Sequence, residues 1–368
     1  MSNSKKSGGE PLIHIVRRGA MPFWKALIIR ICAVILSLMV SALFIYFVTK
    51  LNPLNVYKAL LDGAIGTERK TWSMIRDTMG LLCIGVALAP AFKMRFWNIG
   101  AEGQVLVGGI ATAACMIYFG DVLPTPVLFL VMIVTSCLAG ALWGVVPALF
   151  KSRWNTNETL FTLMMNYVAV QLTSYFVALW ENPYGSNSVG IINGSTRAGW
   201  FPKVFGQQYM LNVIIVMVLT VAMFFYLKSS KHGYEIAVVG ESENTARYAG
   251  INVSKVFIRT MLISGAIAGL AGFIAVSGSS HTISTNTAGG RGFTAIIVAW
   301  MAKFNTLTMV VISLMIIFLE KGANEIASRF NLNDYASQII TAIILFFIIG
   351  CEFFINYKPV LRSSGKKA

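Results

Sequence analysis

Lys231 to Gly278 reads KHGYEIAVVGESENTARYAGINVSKVFIRTMLISGAIAGLAGFIAVSG. The first half is polar; the second is apolar and rich in Gly and Ala. Ser242 is placed to cap a short helix over Glu243 to Ala249, and Gly250 to close it in the left-handed conformation. Asn252 or Ser254 then caps the next helix, which runs on into lipid. A two-turn helix held between two spans is a small rigid knob. Its residue types alone fit both a docking element and a well-capped re-entry loop. In the apolar half, Gly265 and Gly269 lie four apart, as do Ala268 and Gly272. Two ridges of small residues there permit close backbone packing.

Composition extends this reading to the whole chain. Of 368 residues, 56% are hydrophobic and 12% charged, against about 25% charged in soluble domains. A run of about 20 apolar residues spans a bilayer, and this chain has too many such runs for one water-soluble core. The expected fold is all-α: a polytopic membrane protein with about ten transmembrane helices, some short or discontinuous. The cysteines, Cys32, Cys83, Cys115, Cys137 and Cys351, lie in or at the ends of apolar runs and form no CxxC pair. With His scarce, no metal site or disulfide framework is expected.

The chain divides into a basic N-terminal tail (1–25), a transmembrane domain (26–357) and a basic C-terminal tail (358–368). The polar stretch 228–258 interrupts the domain. Ala26 to Val48 is too long for a signal core and lacks a cleavage site, so it reads as a retained span. Thr49 to Ser73 reads as a polar loop with a short interfacial helix at Tyr57 to Leu61. Further spans are expected at Ile75–Phe92, Val105–Tyr118, Val127–Phe150, Leu160–Leu179, Met210–Leu227 and Ile339–Ile355. Thr294–Ala302 and Leu307–Leu319 look short for spans, as discontinuous helices beside a transport path are. Trp180 to Tyr209 is a long polar loop with interfacial aromatics.

Within this frame several polar residues stand out. Asn98, Glu102 and Gln104 sit at the start of an apolar helix. Glu102 there is placed to interact with the helix dipole, and Asn98 to satisfy free N–H groups. Asn155 to Glu158 fits a capping box. Asn166 and Gln171 fall inside an apolar slab, where amides face a bundle interior. Gly140 and Gly144 form a GxxxG. Gly289 to Gly292 lacks the GxxxxGK[ST] spacing, which occurs nowhere in the chain, so no nucleotide site is expected.

Four of these stretches carry a resemblance. They are Gly240, Asn244, Ala246, Ala249, Gly250 and Ile251 followed by SGAIAGLAG; NIGAEGQ at 98–104; TLMMNY at 162–167; and GFTAIIVA at 292–299. Together they resemble the permease subunits of ABC importers of the branched-chain amino acid, simple-sugar and nucleoside family. NIGAEGQ is similar to the signature of the nucleoside and simple-sugar branch. Trp300 and Lys303 depart from the family pattern. The resemblance covers roughly Asn52 to Val298. It implies an importer that translocates nucleosides or simple sugars across a bacterial plasma (inner) membrane. It also implies that the chain is not an enzyme and binds no cofactor, with ATP and Mg on a partner ATPase subunit. A second, homologous permease and an extracellular or periplasmic substrate-binding lipoprotein complete the expected partners, with membrane lipid around them. In the family the 228–258 loop carries the coupling helix. Gly240, Ser242, Glu243, Asn244, Ala246, Arg247, Tyr248 and Gly250 are therefore the expected ATPase-coupling residues. Asn98, Glu102, Gln104 and Asn166 are expected at the transport path. Gly140, Gly144, Gly265, Gly269 and Gly272 are expected to pack helices.

Charge supports one orientation. The net charge is +15. Ten spans place 20 of the 30 Lys and Arg on the side of the 228–258 loop and 10 on the other. This obeys the positive-inside rule, so both termini are expected in the cytoplasm and no nucleic-acid partner is expected. An ion- or proton-coupled secondary transporter is the alternative, and it calls for several intramembrane carboxylates. Only Glu102 and Glu320 qualify, both near segment ends. A membrane enzyme needs a convergent His, Cys or carboxylate cluster, and none is visible.

Overall fold

The structure, a computed structural model, describes residues 13–17 and 22–361. The charges of the tails at Lys5, Lys6 and Arg18, and all of 362–368, lie outside the described residues. The chain falls into two compact units. One comprises the ends, up to Gly66 and from Leu319 onward; the other is Thr67–Phe318.

In the first unit, strand β1 (Ile13–Arg17) pairs antiparallel with β2 (Tyr357–Leu361). Helices α1 (Phe23–Phe44) and α13 (Asp334–Asn356) pack together. Residues 13–17 and 357–361 thus form a two-stranded ribbon. A π-turn, Ile45–Thr49, ends α1. Helix α2 (Pro53–Ile65) is longer than the expected interfacial turn. Asn52 accepts from the Leu54 N–H at 3.0 Å, and Pro53 takes the first helical position, where no N–H is needed. Its Gly63 lies where an added Cβ would fall 2.6 Å from Glu325 and 2.8 Å from the Lys321 carbonyl. Those residues belong to α12 (Thr306–Arg329), which is a full 24-residue helix and not the short segment ending at Leu319. Glu320, Lys321 and Glu325 read as a loop boundary by hydropathy. Contact with α2 and an Arg329–Asp62 ion pair at 2.8 Å secure that end of the helix.

The second unit is built on α10 (Val253–Ala275), prolonged by a π-turn to Ser280. Helices α3 (Glu68–Lys93), α4 (Ala101–Phe119) and α5 (Thr125–Trp154) pack on it. The glycines decide how closely. A Cβ at Gly265 would fall 2.3 Å from the Gly140 carbonyl, and one at Gly269 2.1 Å from the Ser136 carbonyl. At Gly272 it would lie 2.2 Å from the Val105 carbonyl, and at Gly144 2.9 Å from that of Met261. Helix α5 thus meets Gly265 and Gly269, and α4 meets Gly272 and, through Gly108, Gly269 as well. Helix α3 begins seven residues before the expected span, capped by Thr67, whose hydroxyl accepts from the Lys70 N–H at 3.3 Å.

Around this centre lie α6 (Glu158–Leu179), α7 (Met210–Ser229), α8 (Lys231–Glu241), α9 (Glu243–Tyr248) and α11 (Arg291–Met301). The cap of α6 is Asn157, not Asn155, which instead closes α5 in the left-handed conformation at φ 50°. Gln171 is exposed, on the opposite side of α6 from buried Asn166. Residues 180–209 hold turns and one isolated bridge between Val204 and Gln207. Among the described residues nine helices are long and apolar enough to cross a membrane. Helix α11, with 11 residues, is about 16 Å long, half the thickness of a hydrocarbon core.

Candidate functional site

Two regions collect the polar residues singled out above. The first is the elbow between α7 and α10. Ser230 starts α8 by accepting from the Gly233 N–H at 2.9 Å. Ser242 starts α9 by accepting from the Thr245 N–H at 3.3 Å, and Asn252 starts α10 by accepting from the Lys255 N–H at 3.0 Å. Gly250 closes α9 at φ +78°. Three consecutive side-chain caps thus fold a polar stretch into two short helices. The sequence reading found α9 and its caps and missed α8, whose own cap Ser230 and buried Ile236 and Val239 signal it.

The eight residues expected at this coupling face divide into two groups. Ala246 is fully buried, and an added Cβ at buried Gly240 would fall 2.2 Å from the Lys93 carbonyl. These two seat the elbow on the bundle. Glu243, Asn244, Arg247, Tyr248 and Gly250 are exposed, with Ser242 half-buried among them. Tyr248 is 93% exposed, and Arg247 reaches Glu243 at 3.8 Å along the helix. Beneath the elbow, buried His232 meets the Tyr226 hydroxyl through Nδ1 and the Thr260 hydroxyl through Nε2 at 3.4 Å. Burial pushes its imidazole pKa down, the nearby Arg259 adds to this, and Glu235 opposes it.

The second region is the joint where α3 gives way to α4. Non-helical backbone deep in a membrane protein must find its hydrogen bonds within the protein, and this joint finds them in side-chain amides. Asn98 accepts from the Gly100 N–H at 3.0 Å and faces Gln104 and the Ser264 hydroxyl at 3.4 Å. Asn166, from α6, accepts from the Gly103 N–H at 2.8 Å and donates to the Ile99 carbonyl at 2.9 Å. Thr162 accepts from the Ile99 N–H at 3.1 Å. Glu102 stands in the first turn of α4, as expected, and its side chain also reaches another helix. Its two carboxylate oxygens accept from the N–H groups of Gly290 and Gly292, at 2.8 and 2.7 Å. It thus caps α11 from outside, where the helix presents free donors and partial positive charge. An added Cβ at Gly292 would lie 2.6 Å from the Glu102 nitrogen, so only glycine admits this approach.

From there α11 follows α3. Arg291 lies against Gly80, Val298 against Gly85 and Trp300 against Phe92. At its start Asp77, 5% exposed, meets Arg76 at 2.9 Å and Arg291 at 3.1 Å. Arg76 also lies over the Tyr209 ring at 5.3 Å. A carboxylate shared by two guanidiniums balances the charge that burial would otherwise penalise. The sequence reading missed this group. Arg76 and Asp77 stood at the assumed edge of a span, and Arg291 in an assumed loop. A charged pair beginning a long apolar run was the available signal. Asn98, Glu102, Gln104 and Asn166 thus come together as a bonded joint that fixes α4, α6, α10 and α11 to one another. They pack the bundle by contacts to protein atoms.

Comparison with known proteins agrees with this architecture. The guanosine ABC transporter permease protein of Bacillus subtilis is 30% identical over 326 residues, covering 88% of this chain and 92% of that one. The glucose ABC transporter permease protein of Haloferax volcanii is 26% identical over 355 residues, 93% and 92% of the two chains. The nucleoside ABC transporter permease protein of Lactococcus lactis is 24% identical over 306 residues, 81% and 84% of the two. The family described as "Branched-chain amino acid transport system / permease component" matches residues 71–349. That match takes in both the capped elbow and the α3–α4–α11 joint, and the chain belongs to this permease family.

Proposed function

We propose that this chain is the membrane-spanning subunit of an importer for nucleosides, driven through α9 by a separate ATPase. The observation that carries the reading is the elbow. A six-residue helix, capped at its start by Ser242, rests on the bundle through Ala246 and turns its polar and aromatic side chains outward. Such an element moves as one body with α7 and α10, and Glu243, Asn244, Arg247 and Tyr248 supply polar and aromatic contacts to a groove. Two of the relatives described above are named for guanosine or nucleosides, which favours a nucleoside over a sugar. The glucose-named relative supports a simple sugar as the second reading. A second permease, homologous to this one, and a substrate-binding lipoprotein outside the cell complete the assembly.

The reading places both termini and the elbow in the cytoplasm. The charge bias supports this, and two of the ten opposing cations, Arg76 and Arg291, pair with Asp77 inside the bundle. Pairing of β1 with β2 puts the two ends of the chain at one end of α1 and α13. Nine long helices with α11 counted as a tenth crossing give the even number this requires. Uptake of labelled guanosine, adenosine, glucose and ribose by a deletion strain, with and without the gene restored, tests the substrate. Restored nucleoside uptake with unchanged sugar uptake is the expected result. Restored sugar uptake alone selects the second reading.

A further inference from the structure

Helix α6 carries polar side chains on the face it turns away from the bundle. Tyr167, Gln171 and Tyr175 are exposed and follow one another at intervals of four residues, so they form one ridge. The midpoint of α6 falls between Val168 and Ala169. Along the helix axis Tyr167 lies about 2 Å from it, Gln171 about 4 Å and Tyr175 about 10 Å. All three fall within the ~15 Å half-thickness of a hydrocarbon core. Among the described residues, none hydrogen-bonds the Tyr167 hydroxyl or the Gln171 amide. Other outward faces differ. Every exposed side chain from Val127 to Phe150 of α5, and from Ile214 to Phe225 of α7, is apolar. Those faces suit lipid. The ridge of α6 does not, because hydrocarbon offers an amide no hydrogen-bond partner. A close helix contact takes small residues, whereas Met164, Tyr167 and Tyr175 stand out from the helix, 55, 63 and 62% exposed. Water and a polar solute fit such a ridge.

We propose that this ridge is a wall of the translocation path and that Gln171 selects among nucleosides by bonding the edge of the base. The proposal rests on the nucleoside reading above. Tyr167 and Gln171 stand at i and i+4, with Cβ atoms about 5–6 Å apart. A base stacked on the Tyr167 ring, as bases stack on aromatic side chains, therefore turns its edge toward the amide. A glutamine amide offers a donor and an acceptor side by side, the pair that reads the N6 and N7 edge of a purine. Tyr175 continues the aromatic surface beyond Gln171. Asn166, on the other side of the same helix, is bonded to Gly103 and Ile99 and takes no part.

The test uses the whole transporter complex in proteoliposomes and has two arms. In the first, single cysteines in a cysteine-free background meet a water-soluble thiol reagent without nucleotide. Tyr167→Cys and Gln171→Cys are labelled, and saturating guanosine slows both. Val218→Cys on α7 and Leu138→Cys on α5, exposed near the midpoints of their helices, are not labelled. In the second arm, kcat/KM for uptake is compared between adenosine and purine riboside, which lacks the exocyclic amino group. Wild type prefers adenosine. Gln171→Met keeps the length of the side chain without its hydrogen bonds, and shrinks that preference about tenfold. Gln171→Cys left unlabelled overturns the path wall and makes the ridge a helix contact or a lipid surface. Labelling that guanosine does not slow, or an equal loss for both nucleosides in Gln171→Met, overturns the contact with the base and leaves the nucleoside reading standing. A wild-type complex that carries sugars and no nucleoside overturns that reading and the base contact with it, while labelling of Gln171→Cys still shows α6 to face the path of another solute.

Discussion

The capped elbow and the Glu102 joint both consist of polar residues between apolar helices, and they are built in opposite ways. In the elbow, hydrogen bonds are spent on local caps, and the remaining side chains point away from the bundle. In the joint, side chains reach across the bundle, and carboxylate and amide groups satisfy backbone donors on other helices. The first arrangement leaves a surface to be covered. The second leaves nothing free and fixes where four helices meet. Position along the sequence does not distinguish them; the partner of each polar atom does.

The largest effect is expected where backbone touches backbone beneath both regions. Gly269→Leu sets a side chain against the Ser136 carbonyl, 2.1 Å from the position of its first carbon. Overpacking on this scale costs about 3 kcal/mol or more, so the variant should fail to yield monodisperse protein in detergent. Gly250→Ala offers the contrast. No atom lies within 4 Å of its added Cβ, and only the φ of +78° opposes it, at about 1–2 kcal/mol. Folded Gly269→Leu at normal yield would show that α5 and α10 are not in backbone contact.

These contrasts also mark what the sequence could disclose. Spacing of small residues disclosed the Gly265/Gly269 and Gly272 ridges, because packing of helices depends on residue size at fixed intervals. Cap chemistry disclosed α9, because Ser242 and Gly250 act on neighbours in the chain. The role of Glu102 was not legible. The donors it accepts from lie 188 and 190 residues away, and no local pattern records a cap supplied by another helix. The Asp77–Arg291 pair was hidden for the same reason. The lengths of α3 and α12 were underestimated because hydropathy drops at residues that are polar yet held in helix by Thr67 and by α2.

The joint is broken most selectively at Glu102. Glu102→Ala leaves the buried Gly292 N–H without an acceptor, at about 1–3 kcal/mol, and frees the exposed Gly290 N–H to water. Glu102→Gln restores one acceptor and should fall between. Uptake per molecule of inserted protein should drop in the same order, wild type above Gln above Ala. Equal uptake per molecule in all three would remove this joint from the transport machinery.

The elbow is broken at Tyr248, in place of Ala246, whose substitution would disturb the seat of the helix as well as its outer face. Tyr248→Ala removes a side chain 93% exposed, so stability should change by less than about 0.5 kcal/mol. Co-purification with the ATPase and substrate-stimulated ATP turnover should nevertheless fall. A variant with normal assembly and turnover would make α9 a connecting loop only. The orientation follows from the same reading. A cysteine at Ser364 in a cysteine-free background should react with an impermeant reagent only after the membrane is opened, and reaction from outside would reverse the topology.

The smallest effect is a pH dependence confined to the elbow, and its sign follows from the burial of His232. Its pKa is lowered from the ordinary 6.5, chiefly by burial and further by Arg259. The folded elbow therefore binds fewer protons than the unfolded chain, and its stability rises with pH across the interval between the two values. Stability is fully present above about 6.5 and declines as pH falls toward the lower folded value. The groups that face the imidazole are the Tyr226 and Thr260 hydroxyls, with Glu235 and Arg259 paired at 3.8 Å nearby. Hydrogen exchange of the α8 amides should therefore quicken between pH 7.5 and 5.5, after correction for intrinsic rates, while the amides of α10 below Gly265 stay protected. In His232→Gln, which keeps a polar side chain but cannot titrate, the α8 rates should follow the intrinsic pH dependence. If wild type and variant show the same corrected change, the imidazole is not its source, and the elbow is held by its caps and Ala246 alone.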